Sequence, residues 1–314
     1  MGRVLSEQAT SGVTATGLIS VAGPELAQLT VVTLWASTFV ITKGAFAEVS
    51  PLAFAFVRFL LMTLLAFAVL AARGGGRMQG ARRADWPRFV AAGVSGYTLY
   101  QLGFVLGLER TSPFSSSLLI AMVPLFTVMI LAVMGERTPL RGWLGIGVAL
   151  AGAVVFLSDK GGGGTRLGDA FSLGAAVAFA LYGVVNRPLV ARYPPETYTA
   201  YTVLAGSVPL LAVSTPAALA QDWGAVSAWG WIAIVYMVVL PVYVAYMLWN
   251  WAIARRGVAA ATGFSLLVPI VSGALSALLF DEGFGAAKLL GAALVLGGLV
   301  LLRLPPRKPR PSTG

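Results

Sequence analysis

Between residues 26 and 303 the chain returns repeatedly to an apolar run long enough to cross a bilayer, and that recurrence closes off most folds. A helix rising 1.5 Å per residue needs about 20 residues to span roughly 30 Å of hydrocarbon. Ten such runs fit, near 26–48, 51–72, 89–108, 113–134, 142–158, 167–188, 196–218, 230–254, 258–280 and 287–303, the fifth being short. Only 11% of the residues are charged, against about 25% in a soluble domain. With a mean hydropathy of +0.84, lipid has to be the solvent for most of the chain. Inside lipid each span must satisfy its own backbone hydrogen bonds, which runs of this length do as helices. The expectation is an all-α polytopic membrane protein with ten transmembrane helices. The breaks carry turn-forming residues: Ser50-Pro51, Gly74–Gly76, Ser112-Pro113, Gly161–Gly164 and Pro194-Pro195.

The charges assign sides. Sixteen Lys and Arg fall on one set of alternate connections and tails, and five on the other (Lys43, Arg110, Lys160, Arg166 and Lys288), which leaves Arg58 inside a span. The positive-inside rule then places both termini in the cytoplasm. The net charge of +10 is therefore a topology signal, and a nucleic-acid partner is not expected. Residues 1–25 lack a sustained apolar core and read as a cytoplasmic tail rather than a cleaved signal peptide. Residues 304–314 read as a second, basic one. The chain holds no Cys and no His, which removes disulfides and thiolate or imidazole metal sites. No cofactor is expected. The richness in Ala, Gly and Arg points to a bacterial inner membrane.

A duplication orders the spans. Trp35–Pro51 aligns with Phe179–Pro195 so that Lys43 meets Arg187 and Pro51 meets Pro195 at an offset of 144. Pro124 meets Pro269 at 145, while Glu136 meets Glu282, Gly145 meets Gly291 and Gly152 meets Gly298 at 146. So slow a drift over more than a hundred residues is the mark of an internal repeat. The copies are 26–158 and 167–303, joined by a Gly-rich linker at 159–166. Five spans per copy is an odd number, so the second copy enters the membrane from the opposite side. The expected architecture is two inverted five-helix repeats, which in secondary transporters place the substrate near the midplane.

The pattern Trp35-x-Ser37-x-Phe39-x3-Lys43, with Pro51, Arg58, Pro124, Gly135-Glu136 and Gly145 to Gly152, resembles the EamA-type transporters of the drug/metabolite transporter superfamily. The second copy fits more loosely, with Asp281-Glu282 where a Gly-Glu pair is common and Thr202 opposite Arg58. The resemblance spans about residues 26–303. It implies alternating access and export of small metabolites, amino acids among them.

Span 3 carries Tyr97, Tyr100, Gln101 and Phe104 at helical spacing on one face. Span 8 carries Tyr243, Tyr246, Trp249 and Asn250, and the repeat sets Gln101 opposite Tyr246. Span 1 adds Trp35 and Phe39, span 6 Phe179, Tyr182 and Asn186. Aromatics near span ends (Trp86, Trp143, Trp223, Trp229, Trp231, Trp251) read as interfacial anchors. Mid-span hydroxyls and carboxamides must instead bond a neighbouring helix or face a watered cavity. The candidate substrate-binding residues are thus Trp35, Phe39, Tyr97, Tyr100, Gln101, Tyr182, Asn186, Tyr243, Tyr246, Trp249 and Asn250.

Arg58 lies about 10 Å into span 2 at 1.5 Å per residue. It either pairs with protein groups or meets a substrate carboxylate or a gate. Lys43 either snorkels to the outer surface or, with its mirror partner Arg187 and the mirrored Glu136 and Glu282, closes a gate. Gly147, Gly291 and Gly297 are expected to let helices 5 and 10 approach closely. All twelve Asp and Glu fall in tails, loops or near span ends, so strong proton coupling is not expected, Glu109 and Asp169 being the nearest to an exception. The same absences leave no enzyme chemistry. The reading is a secondary transporter of small molecules, most readily an amino-acid exporter. A transporter of drugs, quaternary amines or nucleotide sugars is the alternative, with a channel behind it.

Overall fold

The computed structural model describes residues 15–73, 80–159, 164–256 and 263–304, with side chains from residue 23 onward in the first helix. The start of the ninth expected span, Lys160 and both chain ends lie outside the described residues. Every regular element among them is helical. Numbering the long helices through their internal irregularities gives α1 (Ala15–Ala45), α2 (Pro51–Arg73) and α3 (Arg83–Arg110). They are followed by α4 (Pro113–Val133), α5 (Leu140–Ser158), α6 (Arg166–Arg192), α7 (Pro195–Ala220), α8 (Ala228–Ile253), α9 (Ser265–Phe280) and α10 (Ala286–Arg303). Nine of these are long and apolar enough to cross a membrane, α9 being the shorter one. Helix α1 begins at Ala15, inside the stretch read as a tail.

The starts are set by local chemistry. The hydroxyls of Ser112, Thr165 and Ser227 accept from the backbone N–H groups of Ser115, Gly168 and Gly230, capping α4, α6 and α8. Proline marks the interruptions. Helix α4 breaks at Ala121-Met122 and resumes at Val123 with Pro124 in its first turn. Helix α9 opens with a 3₁₀ turn, Ser265–Leu267, and becomes α-helical at Val268 with Pro269 next. Helix α7, by contrast, runs on through Pro209 and Pro216. Helices α3 and α8 each contain one π-helical turn, Val94–Leu99 and Leu240–Val244.

The strongest packing pairs are α5 with α10, α2 with α7, α3 with α6 and α1 with α8. Helix α6 also packs on α4, and α1 on α9. Exchanging each helix for the one five places along maps this pattern onto itself. The α5–α10 seam is built on glycine: a Cβ at Gly145 would lie 2.7 Å from the Gly298 carbonyl oxygen, and one at Gly152 2.6 Å from the Val295 nitrogen. Gly291 meets the Phe156 backbone on the same seam. Gly147 and Gly297, expected there too, have open space where a side chain would stand. They lie two residues from Gly145 and one from Gly298, about 200° and 100° around the helix, and so face elsewhere.

Candidate functional site

The two π turns put an extra residue into a helical turn, a feature common at functional sites, and each carries a tyrosine, Tyr97 in α3 and Tyr243 in α8. Around the first, aromatic rings from four helices touch in succession. Phe39 of α1 meets Phe104 at a centroid distance of 5.5 Å, and Phe104 stacks on Tyr100 at 6.3 Å. Tyr100 meets Phe179 of α6 at 4.9 Å, and Phe179 meets Tyr182 at 5.3 Å. Tyr182 then meets Tyr97 at 5.7 Å, and Tyr97 meets Phe59 of α2 at 6.2 Å. Tyr182 also shares a hydrogen bond of 3.2 Å with Tyr198 of α7. Tyr97 and Tyr100 keep part of their surface uncovered while Gln101 is buried.

A second group forms where α1 meets α8. The Trp35 ring lies 5.0 Å from Trp249 and 5.8 Å from Tyr246, and its Nε1–H donates to the Pro241 carbonyl in the π turn at 3.2 Å. Tyr246 is 49% exposed, so its outer half is not packed by protein. Ser37 reaches the Tyr236 hydroxyl at 2.6 Å. Tyr243 is partly covered. The side chain of Asn250 lies outside the described residues. Asn186, where α6 is interrupted, is 8% exposed, and its Oδ1 has no hydrogen-bond partner among the described residues.

Arg58 stands beside the first group. Its guanidinium carbon is 5.7 Å from the Phe59 ring, and Nη1 donates to Gln101 Oε1 at 3.2 Å. The structure thus brings Arg58, Gln101, Phe39, Tyr97, Tyr100 and Tyr182 into one neighbourhood, and Trp35, Tyr246 and Trp249 into another.

The two ends of the bundle differ. Where α4 and α6 end, Arg187 Nη1 and Glu136 Oε1 are 3.0 Å apart on exposed side chains. Close by in the chain, buried Asp85 receives Arg192 and the Tyr193 hydroxyl, the latter at 2.6 Å, which ties the start of α3 to the end of α6. At the other end Lys43 donates to the carbonyls of Leu108, Glu109 and Thr111 at 2.8, 2.9 and 3.0 Å. These are the carbonyls that the C-terminus of α3 leaves unbonded, so Lys43 caps a helix instead of reaching past it to the surface. Glu282 pairs with Lys288 at 2.8 Å and accepts from Ser276. A cleft of about 310 Å³ has both Lys43 and Glu282 on its walls, with Ser112, Phe280 and Gly283 also lining it.

The sequence reading missed the Asp85 cluster and the Glu282–Lys288 pair. The spacing of Glu282 and Lys288, six residues across one short connection, was the available signal. Among the described residues no three His, Cys, Asp or Glu come together in a way that could hold a metal ion.

A family model described as "EamA-like transporter family" matches the chain twice, over residues 24–158 and 166–304. A probable terminal-alkyne amino-acid exporter of Streptantibioticus cattleyicolor is 30% identical over 87% of this chain and 91% of its own length. An aromatic amino acid exporter of Ancylobacter novellus, YddG, is 28% identical over 89% of this chain and 96% of its own. A probable amino-acid metabolite efflux pump of Escherichia coli is 25% identical over 87% and 92%. A solved crystal structure shares the fold with a TM-score of 0.61 at 23% identity, covering 90% of this chain and 97% of the other.

Proposed function

From the premise that the chain belongs to the EamA-like transporter family, we propose that it exports amino acids or closely similar small metabolites across a bacterial inner membrane by alternating access. In this reading the two halves are inverted repeats, both termini are cytoplasmic, and the substrate sits among the aromatic rings between the halves. The observation that carries it is the run of rings from Phe39 to Phe59, contributed by α1, α2, α3 and α6 and bordered by Arg58. Rings of this kind cover an apolar side chain and hold an ammonium by cation–π attraction at about 0.5–2 kcal/mol. The relatives named as amino-acid exporters point to the same solute class.

The ends would act as gates. The Arg187–Glu136 contact and the Asp85 cluster fasten one end. The cleft between Lys43 and Glu282 leaves the other open. In the opposite state Lys43 would move toward Glu282, taking the arrangement Arg187 has with Glu136.

Transport is read as facilitated or exchange-driven, without strong proton coupling. The buried carboxylates support this, since Asp85 and Glu282 are each bonded to a basic side chain. Purified protein in liposomes should show saturable counterflow of labelled amino acids. Uphill uptake driven by a pH gradient alone would refute the uncoupled reading, and flux without counterflow would favour a channel.

A further inference from the structure

Arg58 is a cation inside the apolar helix α2, and no carboxylate of the described residues lies within ion-pair distance of it. A charge placed this deep is ordinarily paired or turned to a watered cavity. Its one hydrogen bond runs to a neutral group, Gln101 Oε1 at 3.2 Å. Its Nε–H is buried without a partner. Gln101 is 1% exposed, and its Nε2 amide is buried without a partner as well. Two neighbouring side chains on different helices therefore hold donors that nothing among the described residues accepts. Buried donors left in that state are costly, so their persistence points to an acceptor that comes from outside.

The donor set defines the acceptor. A guanidinium edge binds two oxygens of a planar carboxylate in parallel, and the unpartnered amide of Gln101, the residue already bonded to Arg58, is a further donor. One positive charge balances one negative charge. A phosphate monoester, close to a dianion at neutral pH, would leave charge uncompensated beside Phe59, Tyr97 and Tyr100. We infer that Arg58 and Gln101 form a carboxylate clasp and select amphipathic monocarboxylates, with the apolar body of the solute lying along the rings. This rests on the export reading above and sharpens it: the carboxylate is the required group, and the α-amine is tolerated.

The test uses three probes of one shape: L-phenylalanine, its amide, and 3-phenylpropionate, which lacks the amine. Binding to detergent-purified full-length protein is followed by thermal stabilisation, and counterflow is measured separately in liposomes. Both carboxylates should stabilise the wild type while the amide does not. Arg58→Gln and Gln101→Leu should each weaken carboxylate binding at least tenfold, with Arg58→Lys between them and the wild type. The ligand-free melting temperature of Arg58→Gln should stay level or rise, because an unpaired buried cation has been removed. A fall would mark Arg58 as a structural prop and overturn the clasp. Equal stabilisation by acid and amide in the wild type, which needs no variant to fold, would overturn it too, as would a wild type that binds none of the three. Carboxylate-selective binding without any counterflow would uphold the clasp and sink the transport reading. Counterflow that persists unchanged in Arg58→Gln would do the reverse.

Discussion

Lys43 shows how far a single residue departs from what its position announces. Near the end of an apolar helix a lysine is expected to extend toward water. Here the ammonium turns to the end of α3 and takes three carbonyls within 3.0 Å. A helix that ends at the edge of the bilayer has few water molecules to satisfy its last carbonyls, so a donor from a neighbouring helix substitutes for them. Replacing Lys43 by Met should therefore lower the melting temperature of the purified protein, whereas a purely snorkelling lysine would leave it unchanged. Lys288 gives a sharper case. It and Glu282 have side chains 5% and 4% exposed, and removing one partner strands the other charge in the interior. Lys288→Met should cost about 3–5 kcal/mol. The double variant with Glu282→Gln should recover a large part of that loss. Denaturation of all three proteins in one detergent decides it: a double variant no more stable than the single one would mean the pair is not coupled.

Among the elements, the helices themselves were written in the sequence as runs of apolar length; Pro124 and Pro269 stand at the irregularities of α4 and α9, but α7 runs on through Pro209 and Pro216, so proline alone does not mark a break. The faces were harder to read. Gly145 and Gly152, and Gly291 and Gly298, are seven residues apart, so each pair returns to nearly the same side of its helix and meets the other pair across the α5–α10 seam. That spacing was available; without regard to helical phase, Gly291 was expected there correctly, and Gly147 and Gly297 wrongly. Leucine at Gly145 should displace the seam and cost several degrees of melting temperature, while leucine at Gly147, where space is open, should change it by no more than a degree or so, since a surface change is usually worth within about 0.5 kcal/mol. The π turns were not legible. Gly96 lies in one and Pro241 in the other, residues too common in membrane helices to single out a place. What the sequence could place was chemistry of unusual cost, the mid-span Arg and Tyr. Their partners depend on which helices meet, as with Gln101 on Arg58 or Tyr182 on Tyr97, and spacing along one helix carries no such information.

For the molecule as a whole, the informative contrast is between its ends. If alternating access operates, the present state and its opposite differ by a small free energy, and each end contributes only through contacts made in one state. The Arg187–Glu136 contact is such a term at the fastened end, made on exposed side chains. Exposed pairs are worth about 0.2–1 kcal/mol, which bounds the shift: Glu136→Gln should move the equilibrium by no more than about fivefold, toward closure of the cleft lined by Lys43 and Glu282. The chain offers a clean way to read this, because it has no cysteine of its own. A single cysteine in place of Gly283 on the cleft wall should react readily with a membrane-impermeant thiol reagent from the side where Glu282 lies. Adding Glu136→Gln should slow that reaction, by at most about fivefold. No change would mean the Asp85 cluster alone fastens the other end, and acceleration would show that the two ends are not reciprocally linked, contrary to the rocking of two halves.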